Sequence, residues 1–163
     1  MSQIRTNSLV PAGGIPAGAS GGGIIQIVST TKSDSFTSTS SSWADITGLS
    51  VTITPASTSN KILVTVAVNG YAQWDTSIRL VRGSTTIAVG DAAGSRTQAT
   101  FEVPQANRSN ESSTNTMVFL DSPSTTSSTT YKVQCLTFSG QTMHINRSGN
   151  DDDAGYDSRS ILQ

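Results

Sequence analysis

Residues 1–23 constrain the fold more than any other stretch, because their composition argues against a place in a packed core. They hold six glycines (Gly13, Gly14, Gly18, Gly21, Gly22, Gly23), two prolines (Pro11, Pro16) and no apolar periodicity. Such a segment buries too little apolar surface to offset its own ordering entropy. It reads as a linker, a disordered tail or an arm that a partner orders. At Ile24-Ile25-Gln26-Ile27-Val28 the character changes, and β-type segments continue to the last residue. A small all-β body with an extended Gly/Pro arm is a common plan for assembly proteins and an uncommon one for enzymes.

The remaining 24–163 are enough for one hydrophobic core and one domain. Only 13% of the residues are charged, about half the usual share, and Ser and Thr are abundant. A hydroxyl-covered surface fits a particle exterior or a subunit packed among others. The formal net charge of −1, with the basic residues scattered along the chain, gives no electrostatic case for nucleic acid. A single cysteine leaves no intrachain disulfide and no Cys-based zinc site, and Cys135 in the alternation Tyr131-Lys132-Val133-Gln134-Cys135-Leu136 reads as a small buried hydrophobe. No basic stretch followed by an apolar h-region opens the chain, and no apolar run has the length of a membrane span. The expectation is synthesis in a host cytoplasm, with no membrane partner.

Alternation of apolar and polar residues predicts half-buried strands, clearest in Val51-Thr52-Ile53-Thr54 and Leu63-Val64-Thr65-Val66-Ala67-Val68. Strands are expected at 24–29, 35–39, 50–54, 61–70, 77–82, 85–89, 97–103, 114–120, 130–137 and 143–146, with a last one at 157–163. The breaks are rich in turn residues, and Arg82-Gly83-Ser84-Thr85 predicts a tight hairpin. Lys61 and Lys132, each following a polar turn, read as charges guarding strand edges. No window has helical spacing. The fold expected is all-β, an antiparallel β-sandwich or jelly roll with an extended Gly/Pro-rich N-terminal arm.

Few residues suggest chemistry. Gly21-Gly22-Gly23 lacks the strand, helix and Gly-Lys-Ser/Thr ending of a phosphate loop and reads as linker. His144, the only histidine, has no Gly-x-Ser-x-Gly elbow to serve and is expected at the surface or an interface. The acidic run Asn150-Asp151-Asp152-Asp153-Ala154-Gly155-Tyr156-Asp157 reads mainly as a solvated loop, with Asp151, Asp153 and Asp157 the candidates for a cation site. Asp45, Asp75, Asp91, Glu102 and Asp121 show no spacing that selects an acid/base pair. Trp43 is expected to close one end of the core. Tyr71 and Trp74 divide between packing and contact with a sugar ring. No catalytic residue and no cofactor is expected.

Several stretches taken together resemble a known group. They include Val10-Pro11-Ala12-Gly13-Gly14-Ile15-Pro16-Ala17-Gly18-Ala19-Ser20-Gly21-Gly22, Trp43-Ala44-Asp45-Ile46-Thr47-Gly48-Leu49-Ser50-Val51-Thr52-Ile53-Thr54-Pro55, Ser59-Asn60-Lys61-Ile62-Leu63-Val64 and Leu80-Val81-Arg82-Gly83-Ser84, with Phe119-Leu120-Asp121-Ser122-Pro123, Thr130-Tyr131-Lys132-Val133-Gln134 and Ile145-Asn146-Arg147 further on. In order and spacing they are similar to small virion structural proteins from tailed phages of marine bacteria and cyanobacteria. The resemblance implies a non-enzymatic particle component and a homotrimer. It leaves two placements open, a tail fibre or adaptor and a capsid decoration protein. The arm would dock on capsid or tail proteins through Ile4, Leu9, Val10, Pro11, Ile15 and Pro16. A carbohydrate- or receptor-binding module, using Tyr71 and Trp74 on a host-surface glycan, is the rival expectation.

Overall fold

A computed structural model describes residues 24–150. Nine strands follow one another: β1 (Phe36–Ser38), β2 (Ala44–Ile53), β3 (Ile62–Ala72), β4 (Thr76–Arg82), β5 (Thr85–Ile87), β6 (Phe101–Val103), β7 (Ser113–Asp121), β8 (Thr129–Thr137) and β9 (Met143–Ile145). One 3-10 turn at Phe138–Gly140 is the only helical element among the described residues. The fold is all-β, as the alternation predicts, and is built of two packed antiparallel sheets.

The first sheet has the order β1-β9-β3-β7 and the second β2-β8-β4-β5, with β6 also on β4. The pairing is nested: β1 lies on β9, β2 on β8, β3 on β7, and β4 on both β5 and β6. β6 packs beside β7, so β5, β6 and β7 share one flank of the sandwich. β1 and β2 form the opposite flank. Inward side chains meet between the sheets. Val68 and Ala72 of β3, Met143 and Ile145 of β9, Ile78 of β4 and Cys135 of β8 are each completely buried.

Local chemistry explains the turns and breaks. Arg82 pairs with Thr85 across the two residues Gly83 and Ser84, and Gly83 takes φ +58°, the first-position geometry of a II′ hairpin. β2 starts earlier than the alternation indicates because Gly48, at φ +90°, sits in a bulge that shifts the register between Asp45 and Ser50 without ending the strand. β6 is shorter than expected. Thr100 offers its hydroxyl to the Leu80 N–H at 3.0 Å, and regular pairing starts only at Phe101.

Gly70 pairs with Ser113 of β7 on one side and Ile145 of β9 on the other. A Cβ there would sit 2.9 Å from the His144 carbonyl oxygen. That oxygen belongs to the β9 backbone and cannot move without disturbing the ladder. Gly70→Ala is therefore expected to destabilise by about 1–3 kcal/mol in urea unfolding.

Two expectations are corrected. Residues 24–29 form no strand, because no neighbouring strand pairs with them among the described residues. Their chain is extended, with Ile24, Ile25 and Ile27 exposed at 82%, 69% and 79%. Lys61 and Lys132 do not guard edges, since β3 and β8 are interior strands. Lys61 instead donates to Ser122 Oγ and Lys132 to Asp45 Oδ2. The arm at 1–23, with Ile4, Leu9, Val10, Pro11, Ile15 and Pro16, and the expected strand at 157–163 lie outside the described residues.

Candidate interaction surfaces

The two sheets present different outer faces. On the second sheet a polar network crosses β2, β8 and β4. Asp45 accepts from Lys132 Nζ at 2.9 Å and from Gln134 Nε2 at 2.6 Å, and Arg79 Nε donates to Gln134 Oε1 at 2.8 Å. The donors of Lys132 and Gln134 hold the Asp45 carboxyl below its ordinary pKa of 3.8. Trp43 belongs to this network. Its ring lies under the Arg79 guanidinium, 4.2 Å from the centroid, and is half-buried. It does not close the core as expected; its ring packs instead against Arg79, which is bonded to Gln134 in this network.

The outer face of the first sheet is divided. At one end the register aligns Thr37, His144 and Tyr71 across β1, β9 and β3. His144, expected at the surface or an interface, stacks on Tyr71 with centroids 5.7 Å apart and is buried within this chain. Arg147 Nη2 lies 3.0 Å from His144 Nε2, and Thr37 Oγ1 lies 2.9 Å from Nδ1. A guanidinium only donates, so Nε2 accepts and the ring proton sits on Nδ1, facing Thr37. The chain after β9 covers this end. A Cβ on Gly149 would fall 2.6 Å from the Tyr71 ring, and the Asn150 N–H bonds to the Ser109 carbonyl. The stack on Tyr71, 73 positions earlier, and this cover from the residues just after β9 together bury His144.

At the other end of the same face Leu63, Val118 and Leu120 stand exposed at 63%, 66% and 56%. Leu63 and Leu120 are direct cross-strand partners, and Val118 is two residues before Leu120 on β7. Thr65, Thr114 and Thr116 are exposed along one side of them, and Lys61, bonded to Ser122, puts a charge at the other end of the patch. Its partners are absent from the sequence reading because each residue separately passes for half of an ordinary amphipathic strand.

Tyr71 and Trp74 are not brought together. Tyr71 packs on His144, whereas Trp74, 49% exposed in the turn between β3 and β4, stacks on Phe138 of the 3-10 turn at 6.1 Å between centroids. Phe138 is itself 60% exposed. Sequence reasoning missed it, since it follows β8 immediately and reads as one more strand residue.

Asp45, Asp75 and Asp121 serve structural bonds, whereas Asp91 and Glu102 are exposed. Asp75 accepts from the Gln105 N–H at 2.7 Å, and Asp121 joins Arg82 and Tyr131 at the end of β7. Cys135 is fully buried, and that burial pushes its thiol pKa up. Among the described residues no group of three or more His, Cys, Asp or Glu could hold a metal. Asp151, Asp153 and Asp157 lie outside them. Among the described residues no helix is long and apolar enough to cross a membrane. Neither a family model nor a curated protein matches the sequence.

Proposed function

We propose that this chain is a non-enzymatic structural protein of a bacteriophage virion, a homotrimeric surface appendage of the tail-fibre or adaptor kind, held on capsid or tail proteins by its arm at 1–23. The observation that carries this reading is the nested strand order. Pairs β1/β9, β2/β8, β3/β7 and β4 with β5 and β6 alternate between the sheets, as when one long antiparallel hairpin is rolled up. We read this as a jelly roll, an architecture that recurs in viral capsid and lectin domains. The sequence resemblance to phage virion proteins points the same way. So does the placement of Asp45, Asp75 and Asp121 in separate structural bonds.

Deleting residues 1–23 tests the reading. Purified particles assembled with the shortened chain are expected to lose it, while the isolated body keeps its unfolding midpoint. Occupancy equal to the full-length chain would contradict anchoring by the arm.

One observation favours a second reading, contact with a host-surface glycan. Trp74 and Phe138 present two stacked, exposed rings of the sort that cover the apolar face of a sugar. On that reading Trp74→Ala weakens glycan retention about tenfold or more, the loss typical of a central aromatic contact, and leaves the oligomer intact. A glycan array with the wild type and variant separates the readings.

A further inference from the structure

We propose that the extended segment Ile24-Ile25-Gln26-Ile27-Val28 of one copy adds as a strand to the outer edge of β7 in a second copy. The acceptor is unusual among the sheet edges. β7 runs for nine residues, Ser-Thr-Asn-Thr-Met-Val-Phe-Leu-Asp, with no proline, lysine or bulge, and its only charge is at the end. Every second residue of an edge strand turns its N–H and C=O away from the sheet, and a long unguarded edge invites pairing. The other edges are guarded: β1 and β5 have three residues each, and β2 is broken by its bulge.

The side chains state what must cover this edge. Val118 and Leu120 are exposed on the outer face, beside Leu63, and Met117 and Phe119 are only half-buried on the inner face. The occupant must therefore be an extended strand that is apolar on both faces. Ile24-Ile25-Gln26-Ile27-Val28 comes close, with Ile25 and Ile27 on one side and Ile24 and Val28 flanking Gln26 on the other. These residues are exposed, and no strand pairs with them among the described residues.

The segment cannot lie along its own β7. Thr30 Oγ1 donates to the Gly48 carbonyl of β2, and the Lys32 carbonyl accepts from Asn146 Nδ2 at 2.7 Å. Both contacts fix residues 30–32 on the β1/β2 flank. The β7 edge is on the opposite flank, three strand spacings or about 14 Å from β1. Two residues from Thr30 to Val28 reach at most about 7 Å. A second copy of the chain supplies the strand without this limit. Each copy then donates one segment and accepts another, a head-to-tail contact that closes into a ring where its rotation allows and otherwise continues as a filament. The proposal extends the assembly reading above but does not depend on the number of subunits or on the particle.

A complementation experiment on the full chain tests it. Ile25→Asp/Ile27→Asp removes the donor and Val118→Asp/Leu120→Asp the acceptor; all four residues are exposed, so the body should fold, as circular dichroism will check. The wild type is expected to sediment as a multiple of 16.9 kDa and each variant as a single chain. An equimolar mixture of the variants is expected to form a species of two chains, because the intact segment of one meets the intact edge of the other. A monomeric wild type, variants that keep the wild-type mass, or a mixture that stays monomeric would overturn the proposal. Deleting 1–23 is expected to leave the number of chains per assembly unchanged while removing particle attachment, so failure of the swap and failure of the anchoring arm are separately visible.

Discussion

Replacing Asp121 by alanine is expected to cost about 3 kcal/mol of folding stability, and roughly 10 °C in Tm for a body of this size. Arg82 Nη1 donates to both carboxylate oxygens of Asp121 at 2.8 Å, and the Tyr131 hydroxyl donates to Oδ2. Asp121 ends β7 in the first sheet, whereas Arg82 and Tyr131 belong to β4 and β8 in the second, so the cluster ties the two layers together. Alanine would leave the Tyr131 hydroxyl buried without this acceptor. The Arg82 side chain is 26% exposed and partly rehydrates, which places the cost at the low end for a buried pair. Urea unfolding reads the loss. A cost below about 1 kcal/mol would mean that the cluster contributes no more than a surface pair.

The same cluster sets an alkaline limit. Burial, reinforced by the hydrogen bond to Asp121, pushes the Tyr131 phenol well above its ordinary pKa of 10.0. The unfolded chain then loses this proton first, so the contribution to stability is complete below pH 10 and falls as pH rises beyond it. Tyr131→Phe is expected to flatten that alkaline slope, read as midpoint against pH.

Ile78→Ala is expected to cost about 2–5 kcal/mol. Ile78 is fully buried at the point where β4 pairs with Phe101 of β6 on one side and Cys135 of β8 on the other. Neighbouring strands hold the backbone on both flanks, so the site has little freedom to collapse into the cavity. Ile78→Val, removing one methylene, is expected to cost about 0.5–1.5 kcal/mol. Equal losses for the two variants in the same assay would argue against cavity formation as the cause.

Much of the fold was legible because period-2 alternation records which face of a strand is buried. It located β3, β4, β7 and β8 to within a residue or two, and Gly83 marked its hairpin. Where the signal failed, the deciding partner was distant. Ile24-Ile25-Gln26-Ile27-Val28 has strand composition, but a strand is defined by its neighbour, and none pairs with it among the described residues. The expected strand at 50–54 began after Gly48, yet the positive φ of Gly48 only makes a bulge inside β2. His144, expected at the surface or an interface, is buried in a stack with Tyr71, 73 positions earlier. The candidate surfaces were less legible than the core. Leu63 and Leu120 are 57 positions apart in sequence and meet only through the β3/β7 register. Trp74 was divided between packing and ligand contact, whereas its stacking partner Phe138 was not singled out at all.

Trp74, the β7 edge and the arm at 1–23 assign different tasks to different parts of one body, and the arm's task presupposes a place on a particle. A cryo-EM map of purified virions, with the chain located and its copies counted, tests that most directly. The account predicts threefold groups of this chain on the particle surface, with residues 1–23 bound to a neighbouring virion protein. Few copies on the tail would make it a fibre or adaptor, and many on the head a decoration protein. Particles that carry no copy of the chain would contradict the account.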